Sequence, residues 1–124
     1  MEIYEETIAE NIILHLNGKL DIIASEELEE KALLIIEEGF SNIILDLQNL
    51  DYICSSGLRV LILVQKKLDI LKKKLILANA QKPVKKVFRI VGFDSILSFA
   101  DSIEDATKKL KNWTKISGKN LINQ

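Results

Sequence analysis

The sequence has little of what metal centres, disulfide frameworks and membrane anchors are built from. Its 124 residues include one Cys and one His. One thiol forms no disulfide within the chain, and one Cys with one His does not make a zinc site. The same scarcity fits a reducing compartment, so the expected location is the cytoplasm. Long apolar runs are missing too. The longest, such as Ala32-Leu33-Leu34-Ile35-Ile36, have five residues, against about 20 for a membrane span. The opening Met1-Glu2-Ile3-Tyr4-Glu5-Glu6 is acidic where a secretion signal is basic. Aromatics make up 6%, and the cluster Lys66, Lys67, Lys72, Lys73 and Lys74 comes without interleaved aromatics or Arg. Neither a nucleic acid nor a membrane is therefore expected as a partner.

What is present suits one soluble α/β domain: 48% apolar and 28% charged residues over 14.1 kDa. The net charge of −1 hides a division, since residues 1–62 carry −10 and residues 63–124 carry +9. Two readings stay open. The charged helix faces meet their opposites in the fold, or the basic half offers a docking surface for an acidic partner.

Alternation in Asn11-Ile12-Ile13-Leu14-His15-Leu16-Asn17 marks a half-buried strand, with Ile12, Leu14 and Leu16 on one parity and Asn11, His15 and Asn17 on the other. Residues 2–8 make a hairpin with it, and Gly18 is expected to end it. Ser25 is a plausible N-cap for a helix carrying Leu28, Ala32, Ile35 and Ile36, closed by Gly39. Residues 42–47 and 74–79 read as buried strands. Between them Leu58, Leu61, Ile62, Gln65, Leu68 and Leu71 trace a helical face. Pro83 opens a helix bearing Val84, Val87, Phe88 and Val91. Leu97–Ala100 suits a short edge strand, and Asp101 or Ser102 caps a last helix with Ile103, Ala106 and Leu110 inward. From Asn112 the tail is polar and expected to fray beyond Trp113 and Ile116. The order is α/β: parallel inner strands behind an N-terminal antiparallel hairpin.

Glycine-rich phosphate loops and the Gly-x-Ser-x-Gly elbow are absent. His15, as the one possible histidine base, falls on the polar parity of a strand and is expected at the surface. Asp21, Asp46 and Asp51 are candidates to gather at strand ends, where acids are usually solvated or capping. A hydrolase using Cys54 or a serine as nucleophile lacks a base at any inferable distance. No enzyme is expected. The informative segment is Ile53-Cys54-Ser55-Ser56-Gly57-Leu58, where strand passes into helix. A serine there can simply cap the helix while Gly57 permits close packing. The same geometry suits a phosphoserine, because free N–H groups and the positive dipole end accommodate its roughly two negative charges.

At these residues the chain resembles the anti-sigma factor antagonists, the small stand-alone STAS domains of bacterial partner-switching systems. The resemblance rests on Gly18-Lys19-Leu20-Asp21, on Ile44-Leu45-Asp46-Leu47 followed by Leu50-Asp51-Tyr52-Ile53, and on Ser55-Ser56-Gly57-Leu58. It continues through Pro83-Val84-Lys85-Lys86-Val87-Phe88 with Gly92-Phe93. It covers about residues 3–111 and implies a STAS domain over 1–111 with a polar tail, 112–124. The implied fold is a mixed β-sheet with helices packed mainly on one side. The implied function is binding, without a cofactor, to an anti-sigma factor that is also an ATP-dependent serine kinase, which releases a sigma factor. Phosphorylation of a turn serine breaks that complex and a PP2C-type phosphatase restores it. Carried over, the phosphoacceptor is Ser55, with Ser56 second. Asp21, Cys54, Ser55, Ser56, Gly57, Leu58 and Arg59 form the partner-binding set. Two positions depart from the family pattern: Cys54 stands where an Asp precedes the acceptor, and Arg59 where a small residue often follows Gly-Leu. The departure at Cys54 leaves a second reading, a scaffold STAS module that is never phosphorylated. Arg59 would either pair with a phosphate on Ser55 or project into solvent.

Overall fold

The computed structural model describes residues 1–40 and 42–122, with residues 114–122 described by their backbone alone. The chain order is β1 (Glu2–Ile8), β2 (Asn11–Leu20), α1 (Ile22–Glu37), β3 (Ile43–Asp46), β4 (Leu50–Ile53), α2 (Ser55–Ile70), β5 (Leu75–Ala78) and α3 (Lys82–Ile90). A 3-10 turn (Phe93–Ser95), β6 (Ser98–Ala100) and α4 (Ile103–Ile122) follow. The strands lie in the order β1-β2-β3-β5-β6, with β4 paired to β2 off that path. Only β1–β2 is antiparallel among these pairs; the others are parallel. This is the mixed sheet expected from the α/β succession.

The inner strands alternate between two apolar faces rather than between core and water. Ile12, Leu14, Leu16, Ile43, Leu45, Leu75 and Leu77 join buried residues of α1, α2 and α3 in the larger core. Ile13, Ile44, Ile76 and Ala78 face the other way, against Ala106, Leu110 and Ile103 of α4. A strand covered on both faces reads as a continuous apolar run, which is why residues 43–45 and 75–78 carry no polar alternation. Three helices thus lie on one face and one on the other.

Several boundaries differ from the sequence reading, each for a local physical reason. Gly18 does not end β2. With φ at 117° it is the first residue of β2 to pair with β4, the pairing with β3 having ended at His15, and the register shifts between it and Lys19. Such a shift favours glycine because a Cβ is disfavoured at positive φ. β4 itself is too short and too polar in the middle, at Asp51 and Tyr52, to have been read as a strand. Helix α1 starts three residues before Ser25: Asp21 is its N-cap, accepting the N–H of Ala24 at 2.9 Å. Ser25 is buried and its hydroxyl donates back to the Asp21 carbonyl at 2.6 Å. Val91 caps the end of α3 and is largely exposed, whereas Val84 and Phe88 are buried. Ser102 caps α4 by accepting the N–H of Asp105 at 3.0 Å. α4 passes position 112 without a break, and Lys74 Nζ lies 4.9 Å from the Trp113 ring centroid. The expected anchoring by Ile116 concerns a side chain outside the described residues, and the backbone expected to fray is helical as far as Ile122.

Among the described residues the two charge halves do not neutralise each other by direct ion pairing. The ion pairs found among the described residues stay within one half: Lys31–Glu5, Lys19–Asp51 and Arg59–Glu29 in the first, Lys85–Asp101 and Lys108–Glu104 in the second. Sheet order explains this. β1 and the glutamate-rich α1, tied by Lys31–Glu5, lie toward one edge and α4 packs on β5 and β6 toward the other, while α3 reaches from β4 to Phe99 of β6.

Candidate functional site

The carboxyl ends of β2 and β4 lie side by side, so the helices that follow them start together. The link is direct: the N–H of Cys54 donates to the carbonyl of Leu20 at 3.0 Å. Asp21 and Cys54 therefore stand as neighbouring N-caps, of α1 and α2 respectively. Two positive helix ends converge on one small surface.

Gly57 makes this convergence possible. A Cβ on it would meet Leu20 Cδ2 at 2.8 Å, Leu20 Cγ at 2.9 Å and Ile53 Cγ1 at 3.0 Å. The first turn of α2 thus rests against the last residues of both strands. Gly57 and Leu58 are buried and hold the turn from within, while Ser55 is exposed and Ser56 half-buried. Ser55 begins α2, so its hydroxyl emerges beside the free N–H groups of the helix start.

The expectation that a serine caps this helix is not met: Cys54 holds the N-cap position. Its thiol makes no capping hydrogen bond at ordinary length, and lies 3.7 Å from the Ser25 hydroxyl. Burial pushes the thiol pKa up. The facing N–H of Gly57, the Ser25 hydroxyl and the N–H groups of Ser56 and Cys54 itself outweigh that, so the thiol ends below its usual value.

Around the two caps runs an open groove of about 470 Å3 lined by Asp21, Ile22, Ile23, Tyr52 and Cys54. Ile22, Ile23 and Tyr52 are 63%, 78% and 47% exposed, a large apolar fraction for neighbouring surface positions. The sequence reading missed Ile22 and Ile23 as surface residues. The available signal was that two isoleucines follow Asp21 but fall off the Leu28-Ala32-Ile35 stripe. Arg59 is exposed, as expected, but not free: its guanidinium donates to Glu29 Oε1 at 3.2 Å and bridges α2 to α1.

His15, Asp46 and Asp51 do not join this surface. His15 is half-buried rather than at the surface, because its Nδ1 lies 2.7 Å from Asp46 Oδ2 and its Nε2 2.8 Å from Glu6 Oε1. Burial lowers the imidazole pKa, but its hydrogen bonds to the Glu6 and Asp46 carboxylates raise it more, and the net is upward. Asp46 is buried, which raises its pKa. His15, Asn79 and the Gln48 N–H overcome that and hold the carboxyl below its usual range. Asp51 pairs with Lys19 at 3.7 Å. Among the described residues no group of three or more His, Cys, Asp or Glu is placed to hold a metal ion. No helix among them is long and apolar enough to cross a membrane.

Comparison with known proteins agrees with this architecture. A protein named as an anti-sigma factor antagonist, BtrV of Bordetella bronchiseptica, is 36% identical over 111 residues, covering 90% of this chain and 96% of its own. Among solved structures, an anti-sigma factor antagonist assigned in Thermotoga maritima superimposes with a TM-score of 0.84 at 20% identity, over 88% of this chain and 94% of that one. The phosphorylated form of the Bacillus cell fate determinant SpoIIAA gives 0.69 at 25% identity, over 87% and 98%. The family model for the STAS domain matches residues 2–106. With paired parallel strands delivering two helix starts to one surface, the chain belongs to the STAS domain family.

Proposed function

We propose that this protein is an anti-sigma factor antagonist whose docking face is the surface around Asp21, Ile22, Ile23, Tyr52 and the Ser55 turn. Its partner is an anti-sigma factor that is also an ATP-dependent serine kinase, and binding releases a sigma factor. The partner phosphorylates Ser55, with Ser56 as the second choice, and a PP2C-type phosphatase reverses the step. The domain acts by binding rather than by catalysis, and residues 1–111 carry it, with 112–124 as a polar extension.

The observation that carries this reading is the exposed Ser55 at the start of α2, one residue after a cap bonded to the end of β2. A phosphate there meets free N–H donors and two helix dipoles, so the domain tolerates it without unfolding. Against a docked partner the same phosphate adds about two negative charges at an apolar groove. Desolvation and repulsion then apply in one state alone, as a switch requires.

Incubation with the partner kinase and ATP is expected to add one phosphate, located by mass spectrometry on Ser55 and lost in Ser55→Ala. Ser55→Asp is expected to weaken partner binding by about a hundredfold, about 3 kcal/mol. Equal affinities of Ser55→Asp and wild type would count against the electrostatic gate. The second reading, a scaffold module never phosphorylated, is favoured by Cys54 in place of the family's Asp. It predicts a complex indifferent to ATP and to Ser55→Asp.

A further inference from the structure

A second cavity lies at the opposite end of the sheet and on the opposite face. It measures about 430 Å3 and is lined by Lys74, Ile76, Ser98, Phe99, Lys109 and Trp113. Its position follows from topology. α4 begins just past the carboxyl end of β6 and runs back along the face occupied by Ile76. The ten helical steps from Ile103 to Trp113 carry it back about 15 Å, so that Trp113 meets Lys74 just ahead of β5. The Ser55 turn sits at the carboxyl ends of β2 and β4, beneath α1 and α2.

The lining combines a flat apolar wall with converging cations. Ile76 and Trp113 supply the wall; Phe99 offers its carbonyl, its ring being turned to the other face against Phe88. Lys109 Nζ donates to the Phe99 carbonyl at 2.6 Å, which uses one of its three protons. Lys74 Nζ rests 4.9 Å from the Trp113 ring centroid, a contact that an anion beside it would leave intact. No carboxylate is among these lining residues, and the cavity belongs to the half of the chain that carries +9. Small-molecule sites commonly measure about 300–1,000 Å3 and pair apolar walls with a few convergent polar groups.

We propose that this cavity binds a small aromatic anion, with its ring against Trp113 and Ile76 and its charged group toward Lys74 and Lys109. The site is independent of the proposed docking face.

Trp113 is the chain's one tryptophan, so its fluorescence reports the cavity without labelling. The full-length protein is titrated at low salt with adenosine monophosphate as probe, with adenosine and inorganic phosphate as separate arms and calorimetry as the second measurement. A saturable change with the monophosphate is expected, weakened about tenfold by Lys74→Gln or Lys109→Gln. Lys86→Gln, on the exposed face of α3, and Ser55→Ala are expected to leave it unchanged. Circular dichroism confirms that each variant is folded. No saturable signal in either measurement would overturn the proposal. So would adenosine binding as tightly as the monophosphate, phosphate alone binding as tightly, or wild-type affinity in both lysine variants.

Discussion

Replacing Gly57 by alanine tests whether the Ser55 turn is held by close packing. The added Cβ would stand 2.8 Å from Leu20 Cδ2, 2.9 Å from Leu20 Cγ and 3.0 Å from Ile53 Cγ1. Carbon atoms in contact prefer about 3.5–4.0 Å, so the overlap at Leu20 approaches an ångström. Leu20 is 0% exposed and has no solvent to swing into. Either it leaves its rotamer or α2 moves off the strand ends. Forcing one extra methyl into a packed core costs about 1–3 kcal/mol. Against this, alanine favours a helix over glycine by up to about 1 kcal/mol, less in the first turn, where position 57 lies. The steric term is larger, and Gly57→Ala should lose about 1–2 kcal/mol. Urea denaturation should show a lower midpoint at unchanged slope, since the surface exposed on unfolding hardly alters. The displacement falls on the Ser55 turn, so phosphorylation by the partner kinase should slow even where the variant is fully folded. A variant as stable as wild type, or more stable, would refute the close approach of α2 to β2 and β4.

Three further outcomes are expected. Asp21→Ala removes the cap of α1 and should cost about 1 kcal/mol. Asp21→Asn keeps the cap and removes the charge, so partner affinity measured on the two variants separates the roles. Cys54→Asp should stabilise α2 by about 0.5–1 kcal/mol, because a carboxylate accepts the first-turn N–H groups better than a thiol does. It should also speed phosphorylation of Ser55, and a rate no higher than wild type would show that Cys54 is no impediment. His15 should titrate above its ordinary value, followed as a single imidazole signal by NMR, since the chain has one His. A raised folded pKa means that its stabilisation is whole below the unfolded value, about 6.5, and lost as pH rises through the folded one. Asp46 works in the opposite sense: its lowered pKa gives stability above about 3.9, lost as pH falls through the folded value. Thermal melts should therefore show a plateau between these limits, and His15→Gln should flatten its alkaline side.

Much of the candidate site was legible because it is local. Ser55-Ser56-Gly57-Leu58 announces a helix start wherever it occurs, and apolar spacing alone placed α2 and α3. Caps were harder, since Ser25 and Asp21 are both good capping residues four positions apart. The choice fell to Asp21, whose carboxylate reaches the Ala24 N–H once β2 extends to Leu20. His15 misled for a related reason. Strand parity puts it opposite the main core, but parity does not say that α4 covers part of that face, or that Glu6 and Asp46 flank it from the adjacent strands.

The sequence by itself determined the succession of elements apart from β4, the α/β class and the turn that carries Ser55, because periodicity, capping chemistry and turn residues act over a few positions. Tertiary structure alone decided what that turn stands beside. β2 leaves β3 at His15 and joins β4 from Gly18 onward, which brings Asp21, Cys54 and the exposed Ile22, Ile23 and Tyr52 onto one surface. It also decided that, among the described residues, the ion pairs form within the acidic half or within the basic half and not between them. Those outcomes depend on register and strand order between segments some 30 residues apart, and no local pattern encodes which strand a given strand will meet.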